Sequence, residues 1–157
     1  MAEKLADRYG INPDIATITG LAHDMGKELS DEEKLNYVKQ NEITIDEIES
    51  KNVGLLHAKI GADMAKKKYG FTDEMQKAIK YHTTAHPEMD LLAKIIFISD
   101  KIEETREYAE VDIIRKLALN DINECMLFIL NYAIKKNIDK NKLVHPNSIF
   151  MRNKLLL

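Results

Sequence analysis

The sequence predicts an all-α protein. Apolar residues recur every three or four positions through almost the whole chain, and no segment shows the sustained apolar/polar alternation of a half-buried strand. No hairpin dipeptide separates β-branched runs. The six glycines and three prolines fall mostly between the helical segments. We therefore expect a single compact helical bundle over residues 1–157, without an internal repeat or a linker.

The composition narrows the class of protein. Of the 157 residues, 45% are hydrophobic and 31% charged, as in globular proteins. The net charge of −3 argues against a broad basic surface for long nucleic acids, and no apolar run approaches the roughly 20 residues of a membrane span. Cys125 is the only cysteine, so an internal disulfide is excluded and a reducing compartment is favoured. We expect a cytoplasmic protein that binds neither membranes nor long nucleic acid.

Capping patterns mark the first helix starts. Asn12-Pro13 predicts the start of a helix with apolar positions over 15–25, and Gly26 predicts its stop. Ser30 and Thr44 each stand three residues before a glutamate, the capping-box pattern. The first box opens a short charged helix to about Asn41, and the second predicts another helix start.

Glycine, proline and hydroxyl residues bound the later helices. Gly70 ends one helix, Thr72 begins the next, and His86-Pro87 ends that one. The segment 89–102 is apolar nearly all round, which predicts a buried central helix. The other predicted helices cover 53–69, 111–119, 122–137 and the segment after the turn His145-Pro146-Asn147-Ser148.

Several ionisable residues occupy positions where the pattern calls for apolar side chains. Asp100 lies on the apolar face of the central helix, where an unpaired buried carboxylate costs several kcal/mol. His23-Asp24 ends an apolar helix, and His57 and His82 are embedded among apolar residues. One imidazole with two carboxylates suits iron, manganese, zinc or a similar divalent ion. We therefore expect His23, Asp24 and Asp100 to converge on one cation.

Taken singly, these residues have ordinary explanations. A histidine on a helix is more often a core or surface side chain than a ligand. Asp100 could cap a helix or pair with Lys101 or Arg106. Lys27 and Arg106, taken alone, are typical solvated surface charges. Only the combination and order of the whole set favour a functional site.

That order resembles the HD-domain superfamily of metal-dependent phosphohydrolases, and within it the bacterial YqeK family of symmetrical dinucleoside tetraphosphate hydrolases. The resemblance extends over essentially all 157 residues and is much more specific than the His-Asp pair alone. The segments that carry it are 20–27 (Gly-Leu-Ala-His-Asp-Met-Gly-Lys), 55–57 (Leu-Leu-His), 79–84 (Ile-Lys-Tyr-His-Thr-Thr), 95–103 with Arg106, and 144–146 (Val-His-Pro).

The resemblance implies an HD-type bundle that hydrolyses diadenosine tetraphosphate to two ADP. It implies a divalent metal, with iron expected and manganese, zinc, magnesium or cobalt as alternatives. It is also compatible with a homodimer. The implied metal ligands are His23, Asp24 and Asp100; the implied catalytic residues are Asp24, Lys27, His57 and His82; the implied substrate-binding residues are Lys27, His57, His82, Thr83, Arg106 and His145. His57 and His82 are ambiguous, because in two-metal relatives such positions bind the second ion.

The chain departs from the family pattern in two places. HD proteins carry another metal-binding histidine on the helix before the His-Asp pair, and residues 1–9 contain none, as if the chain began late. His86 stands where relatives more often have glycine, and we expect it to be an exposed loop residue. Three alternatives stay open: another HD-type nucleotide phosphohydrolase or phosphodiesterase, a catalytically weakened nucleotide-binding module, and a helical domain with no ligand.

Overall fold

The computed structural model describes all 157 residues as ten α-helices and one short 3₁₀ turn, without a strand. The all-α prediction is confirmed. None of the helices combines the length and the apolar composition needed to span a bilayer. The helices are α1 (Ala2–Tyr9), α2 (Pro13–Ala22), α3 (Asp31–Gln40), α4 (Glu47–Lys51), α5 (Leu56–Tyr69), α6 (Asp73–Tyr81), α7 (Leu91–Ile102), α8 (Val111–Asn120), α9 (Ile122–Asp139) and α10 (Pro146–Lys154); the 3₁₀ turn Val53–Leu55 precedes α5.

Helix α7 is the centre of the bundle, as the apolar segment predicts. It packs against α1, α2, α6, α8 and α9, and residues 95–98 are at most 2% exposed. One continuous core runs from Ala2 in α1 to Met151 in α10. Cys125 is fully buried in this core, and burial raises the pKa of its thiol to about 12. The extent of a single domain over 1–157 stays a prediction.

The caps of α2, α3 and α6 are those that the sequence predicts. The Asn12 side chain accepts from two backbone N–H groups of α2, Thr72 accepts from the N–H of Met75, and Ser30 forms a complete capping box with Glu33. These side chains satisfy N–H groups that have no partner within the helix.

The predicted capping box at Thr44 is wrong. Asp46 is the N-cap of α4, and its carboxylate accepts from the backbone N–H of Glu49 at 2.9 Å. The Glu49 carboxylate accepts in return from the backbone N–H of Asp46, also at 2.9 Å. A carboxylate caps as well as a hydroxyl, so the box lies two residues later and α4 begins at Glu47.

Two helices end earlier than the sequence predicts, and each ends immediately before a histidine. Helix α2 ends at Ala22 with His23 as its C-cap, and α6 ends at Tyr81 with His82 as its C-cap. Gly26 therefore does not terminate α2. A Cβ atom at Gly26 would lie 2.6 Å from the carbonyl oxygen of His57. The glycine is required because the turn after α2 lies directly against the backbone of α5.

We expect Gly26→Ala to lower the free energy of unfolding by about 1–3 kcal/mol, because the new methyl group collides with backbone that cannot move aside. The matched control is Gly61→Ala in α5, whose Cβ would have its nearest neighbour at an ordinary 3.4 Å. Thermal unfolding of both variants measures the difference. Equal melting temperatures for the two variants would contradict this role for Gly26.

Candidate active site

Four chain segments meet at one point in the bundle. His23 and His82 are the C-caps of α2 and α6, His57 lies in the first turn of α5, and Asp100 lies in the last turn of α7. Asp24 follows His23 in the turn. We call these five residues the His–Asp cluster. The segments are far apart in the sequence, and the fold brings their ends together.

The side-chain atoms of the His–Asp cluster lie within 4 Å of one another in a connected chain. His23 Nε2 is 3.4 Å from Asp24 Oδ2 and 3.6 Å from Asp100 Oδ1. Asp24 Oδ1 is 3.4 Å from His57 Nε2 and 3.6 Å from His82 Nε2. The structure thus brings together all five residues that the sequence singles out for being polar in apolar surroundings.

Backbone carbonyl groups orient the three imidazole rings. The Nδ1 atoms of His23, His57 and His82 lie 2.5, 2.6 and 2.7 Å from the carbonyl oxygens of residues 20, 54 and 79. Each Nδ1 therefore carries the proton and donates it to the carbonyl. The Nε2 lone pair of each neutral ring is consequently directed into the cluster, which is the usual arrangement of a metal-binding histidine.

The donor atoms of the cluster fit a divalent cation. His23 Nε2 is buried and has no hydrogen-bond partner in the protein, which is costly unless another group binds it. His57 Nε2 and His82 Nε2 face each other at 3.1 Å, where two lone pairs repel without a cation or proton between them. One ligand atom each of His23, Asp24 and His82 lie within 4.8 Å of one another. Imidazole nitrogen and carboxylate oxygen together suit iron, manganese or zinc.

Both carboxylates of the cluster are held ionised. The adjacent His82 imidazole, the hydrogen bond from Lys27 and the positive charge of that lysine hold the pKa of the Asp24 carboxyl well below its usual value. Burial alone would raise the pKa of Asp100, but the adjacent His23 imidazole and the charge of Lys101 outweigh it and lower that pKa strongly. The cluster therefore presents two negative charges at neutral pH.

Three cations surround the cluster on its solvent side. Lys27 Nζ is 2.7 Å from Asp24 Oδ2, and Arg106 Nη2 is 2.8 Å from Asp100 Oδ1. Lys101 Nζ contacts the other oxygen of Asp100. The Lys27 and Arg106 side chains are 56% and 40% exposed, so both can also reach a ligand. Lys101 is not among the predicted site residues, although its position directly after Asp100 in the sequence could have indicated that it pairs with this carboxylate.

The two remaining predicted site residues lie outside the cluster. Thr83 is half-buried and follows His82 directly. His145 is the N-cap of α10 and contacts Asp46 Oδ2 at 2.8 Å through Nε2, instead of joining the cluster. It lines a polar cavity of about 200 Å³ together with Tyr81, Thr84 and His86.

His86 lies in a loop, as expected, but the expectation that it is exposed is wrong. The residue is only partly exposed, and its ring stacks on Tyr81 with centroids 4.3 Å apart and an interplanar angle of 8°. The backbone at Ala85 has a φ of 59°, which turns the chain back so that the two rings can meet. Two rings separated by five positions thus form one wall of the cavity at His145.

The HD domain family model matches residues 1–105, which include all five residues of the cluster. The chain belongs to the HD domain family. Among curated proteins, this HD domain is 32% identical over 156 residues to the symmetrical bis(5'-nucleosyl)-tetraphosphatase of Bacillus subtilis, covering 99% of this chain and 83% of that protein. It is also 32% identical over 154 residues to the enzyme of the same name from Halalkalibacterium halodurans, covering 98% and 82% of the two chains.

A solved structure has the same fold. It is described as a predicted HD superfamily hydrolase involved in NAD metabolism, from Clostridium acetobutylicum. The TM-score is 0.95 at 38% sequence identity, and the match covers 99% of this chain and 82% of that one. The HD-type bundle implied by the sequence resemblance is therefore confirmed over the whole chain.

We expect Asp100→Ala to lower the metal affinity of the HD domain by more than the roughly 10- to 100-fold that loss of an outer-sphere partner costs, because an ionised donor is removed, so the purified variant should retain little metal. The melting temperature of the metal-free protein should change little, since Lys101 and Arg106 can turn to solvent. Elemental analysis measures the metal, and Asp63→Ala, which removes a carboxylate paired with Lys67, is the control. Unchanged metal content in Asp100→Ala would contradict the assignment.

Proposed function

We propose that this HD domain is a metal-dependent phosphohydrolase that cleaves diadenosine tetraphosphate at its central phosphoanhydride bond to give two ADP. The observation that carries the proposal is the His–Asp cluster, in which two ionised carboxylates lie within 3.6 Å of the unpartnered Nε2 of His23. The names of the Bacillus and Halalkalibacterium relatives support the choice of substrate.

His23, Asp24 and Asp100 hold the proposed cation, for which iron is our choice. A divalent ion, when bound, lowers the pKa of its bound water towards about 7 and so supplies a nucleophile at neutral pH. The protein contributes two fixed negative charges and a ring orientation set by backbone carbonyls. Because both are present before any ligand arrives, the site is preorganised for the ion.

Lys27 and Arg106 are the proposed phosphate-binding cations. Each contacts a cluster carboxylate with one part of its side chain and remains about half exposed. A phosphate chain placed beside the cluster can therefore accept hydrogen bonds from both while their contacts to Asp24 and Asp100 keep them in place. Positive charge next to the scissile bond stabilises the negative charge that develops on the phosphoryl oxygens.

His57 and His82 face the same phosphates through their Nε2 atoms. The His82 side chain is 2% exposed and that of His57 is 13% exposed, so a proton exchanges with solvent more readily through His57. We assign to His57 the uptake of a proton from solvent on Nε2 and the donation of that proton to the departing ADP, and to His82 a contact with the phosphates. Thr83 adds a hydroxyl next to this pair.

The polar cavity at His145 is the proposed place for one nucleoside. It adjoins the cluster through Tyr81 and Thr84, which flank His82 in sequence, and it is lined by the stacked rings of Tyr81 and His86. Ser148 donates a hydrogen bond to the carbonyl oxygen of Thr84 at 2.7 Å, which fixes the start of α10 against the His82 turn. A nucleoside there leaves its phosphates directed towards the cluster.

Two finer assignments complete the proposal. A cytoplasmic location is supported by the single cysteine, which permits no internal disulfide. A homodimer is supported by an apolar surface around Leu21, Ile18 and Tyr69, which are 82%, 47% and 58% exposed. Exposed apolar patches of this kind are typical of protein interfaces.

We expect the metal-loaded protein to convert diadenosine tetraphosphate to ADP as the only nucleotide product, and a chelator to abolish the reaction. Lys27→Ala should lower kcat/KM by about 100-fold, because one preorganised donor to the phosphoryl oxygens is lost. The control is Lys51→Ala, at an exposed lysine of α4. Chromatography of the products measures the outcome.

The products also discriminate against the alternatives. AMP with ATP would show asymmetrical cleavage, and free phosphate or a linearised cyclic nucleotide would show another HD-type hydrolase. Tight binding of the substrate without turnover would show a binding module. Each of these results would contradict the proposed reaction.

A further inference from the structure

A second cavity borders the His–Asp cluster on the side of Asp100. It has a volume of about 400 Å³ and lies between the segment that follows α7 and the helices α8 and α9. Apolar side chains of Ile114 and Ile129 form part of its wall. The charged, aromatic and amide residues of the lining are Lys101, Arg106, Tyr108, Tyr132, Lys136 and Asn137.

The end of this cavity nearest the cluster is cationic. Lys101 and Arg106 line the cavity and also contact the carboxylate of Asp100, so the cavity and the cluster share two side chains. A ligand that places phosphate beside the cluster therefore has an adjoining space for the group attached to that phosphate.

Aromatic side chains line the same cavity. The rings of Tyr108 and Tyr132 are stacked with centroids 6.2 Å apart and an interplanar angle of 21°. Both side chains are only partly buried, so ring surface remains available to a ligand. Lys136 Nζ lies 5.5 Å from the centroid of the Tyr132 ring. Half-buried aromatic faces beside cations are the usual means by which proteins bind a nucleobase with its phosphates.

Hydrogen bonds fix the segment between α7 and α8, which contributes Arg106 and Tyr108 to the cavity. Tyr108 donates through its hydroxyl to the carbonyl oxygen of Lys101 at 2.8 Å, which holds the ring against the end of α7. Arg115 in α8 donates to the carbonyl oxygens of Ile102 and Glu103 at 3.2 and 2.9 Å. These bonds satisfy carbonyl groups at the C-terminal end of α7 and order the chain up to Arg106. The cavity is therefore formed before a ligand binds, which reduces the entropic cost of binding.

We propose that this cavity binds a purine nucleoside, with the base against the Tyr132 ring and the attached phosphate on Arg106 and Lys101. The inference rests on the proposed function and extends it. A symmetrical dinucleoside tetraphosphate has a nucleoside at each end, and two separate cavities have lining residues that contact the cluster or are its neighbours in sequence. The cavity at His145 adjoins the cluster through the His82 turn, and this one adjoins it through Asp100. Asn137 and Lys136 supply hydrogen-bonding groups for the edge of the base.

The test compares the binding of ADP with that of pyrophosphate, which has the same two phosphates and no nucleoside. Isothermal titration of the metal-loaded protein measures both affinities, and the ADP data are fitted with two sites because the cavity at His145 is also a proposed nucleoside site. We expect Tyr132→Ala to weaken ADP binding about tenfold or more and to change pyrophosphate binding less than twofold, because only the stacking surface is lost. Tyr132→Phe keeps the ring and should restore most of the ADP affinity. Phe150→Ala, at an exposed aromatic residue of α10, is the control.

Two results would overturn the inference: ADP affinity within twofold of the wild type in Tyr132→Ala, or equal weakening of ADP and pyrophosphate. Tyr132→Leu keeps apolar volume without an aromatic face and replaces the alanine variant if the latter unfolds. The measurement does not depend on turnover. A protein that binds ADP through Tyr132 but forms other products would therefore overturn the proposed reaction alone.

Discussion

The structure depends on two ionised carboxylates that are brought together inside an apolar bundle. Both carboxylates lie within 3.6 Å of the same atom, His23 Nε2, so their like charges repel each other, and the surrounding cations offset only the outer side of each carboxylate. Lys27 neutralises the solvent side of Asp24, and Arg106 with Lys101 does the same for Asp100. The inner side faces imidazole lone pairs, which add no positive charge when the rings are neutral. A divalent cation would offset the repulsion between the carboxylates and would also bind the imidazole lone pairs.

The ends of the helices explain how the cluster is built. The last carbonyl groups of an α-helix have no N–H partner within the helix. His23 and His82 follow the ends of α2 and α6 and donate through Nδ1 to the carbonyl oxygens three residues earlier. The same hydrogen bonds therefore cap the helices and direct Nε2 into the site. Gly26 allows the turn after α2 to lie against α5, so that His57 reaches the group from the opposite side.

The parts of this protein that follow local rules could be predicted from the sequence. The all-α class, the caps Asn12, Ser30 and Thr72 and the buried helix α7 follow from periodicity and capping chemistry. The prediction that Asp100 belongs to the site also follows from the sequence, because a carboxylate on an apolar helix face needs a partner. The early ends of α2 and α6 could not be predicted, since the histidines that replace the helical hydrogen bonds do so only when the tertiary site holds their rings. The stacking of His86 on Tyr81 and the cavity between Tyr108 and Tyr132 depend on chain turns that no local pattern specifies.

The central claim is that His23, Asp24 and Asp100 together hold one divalent ion. Anomalous diffraction at the absorption edge of the metal found in the purified protein tests it directly, because the ion is located without reference to any assumed ligand. The account predicts a peak inside the His–Asp cluster, about 2.0–2.3 Å from His23 Nε2 and from a carboxylate oxygen of each aspartate. A peak only at Asp46, Glu49 and His145, the other group of donors close enough to hold an ion, would contradict it.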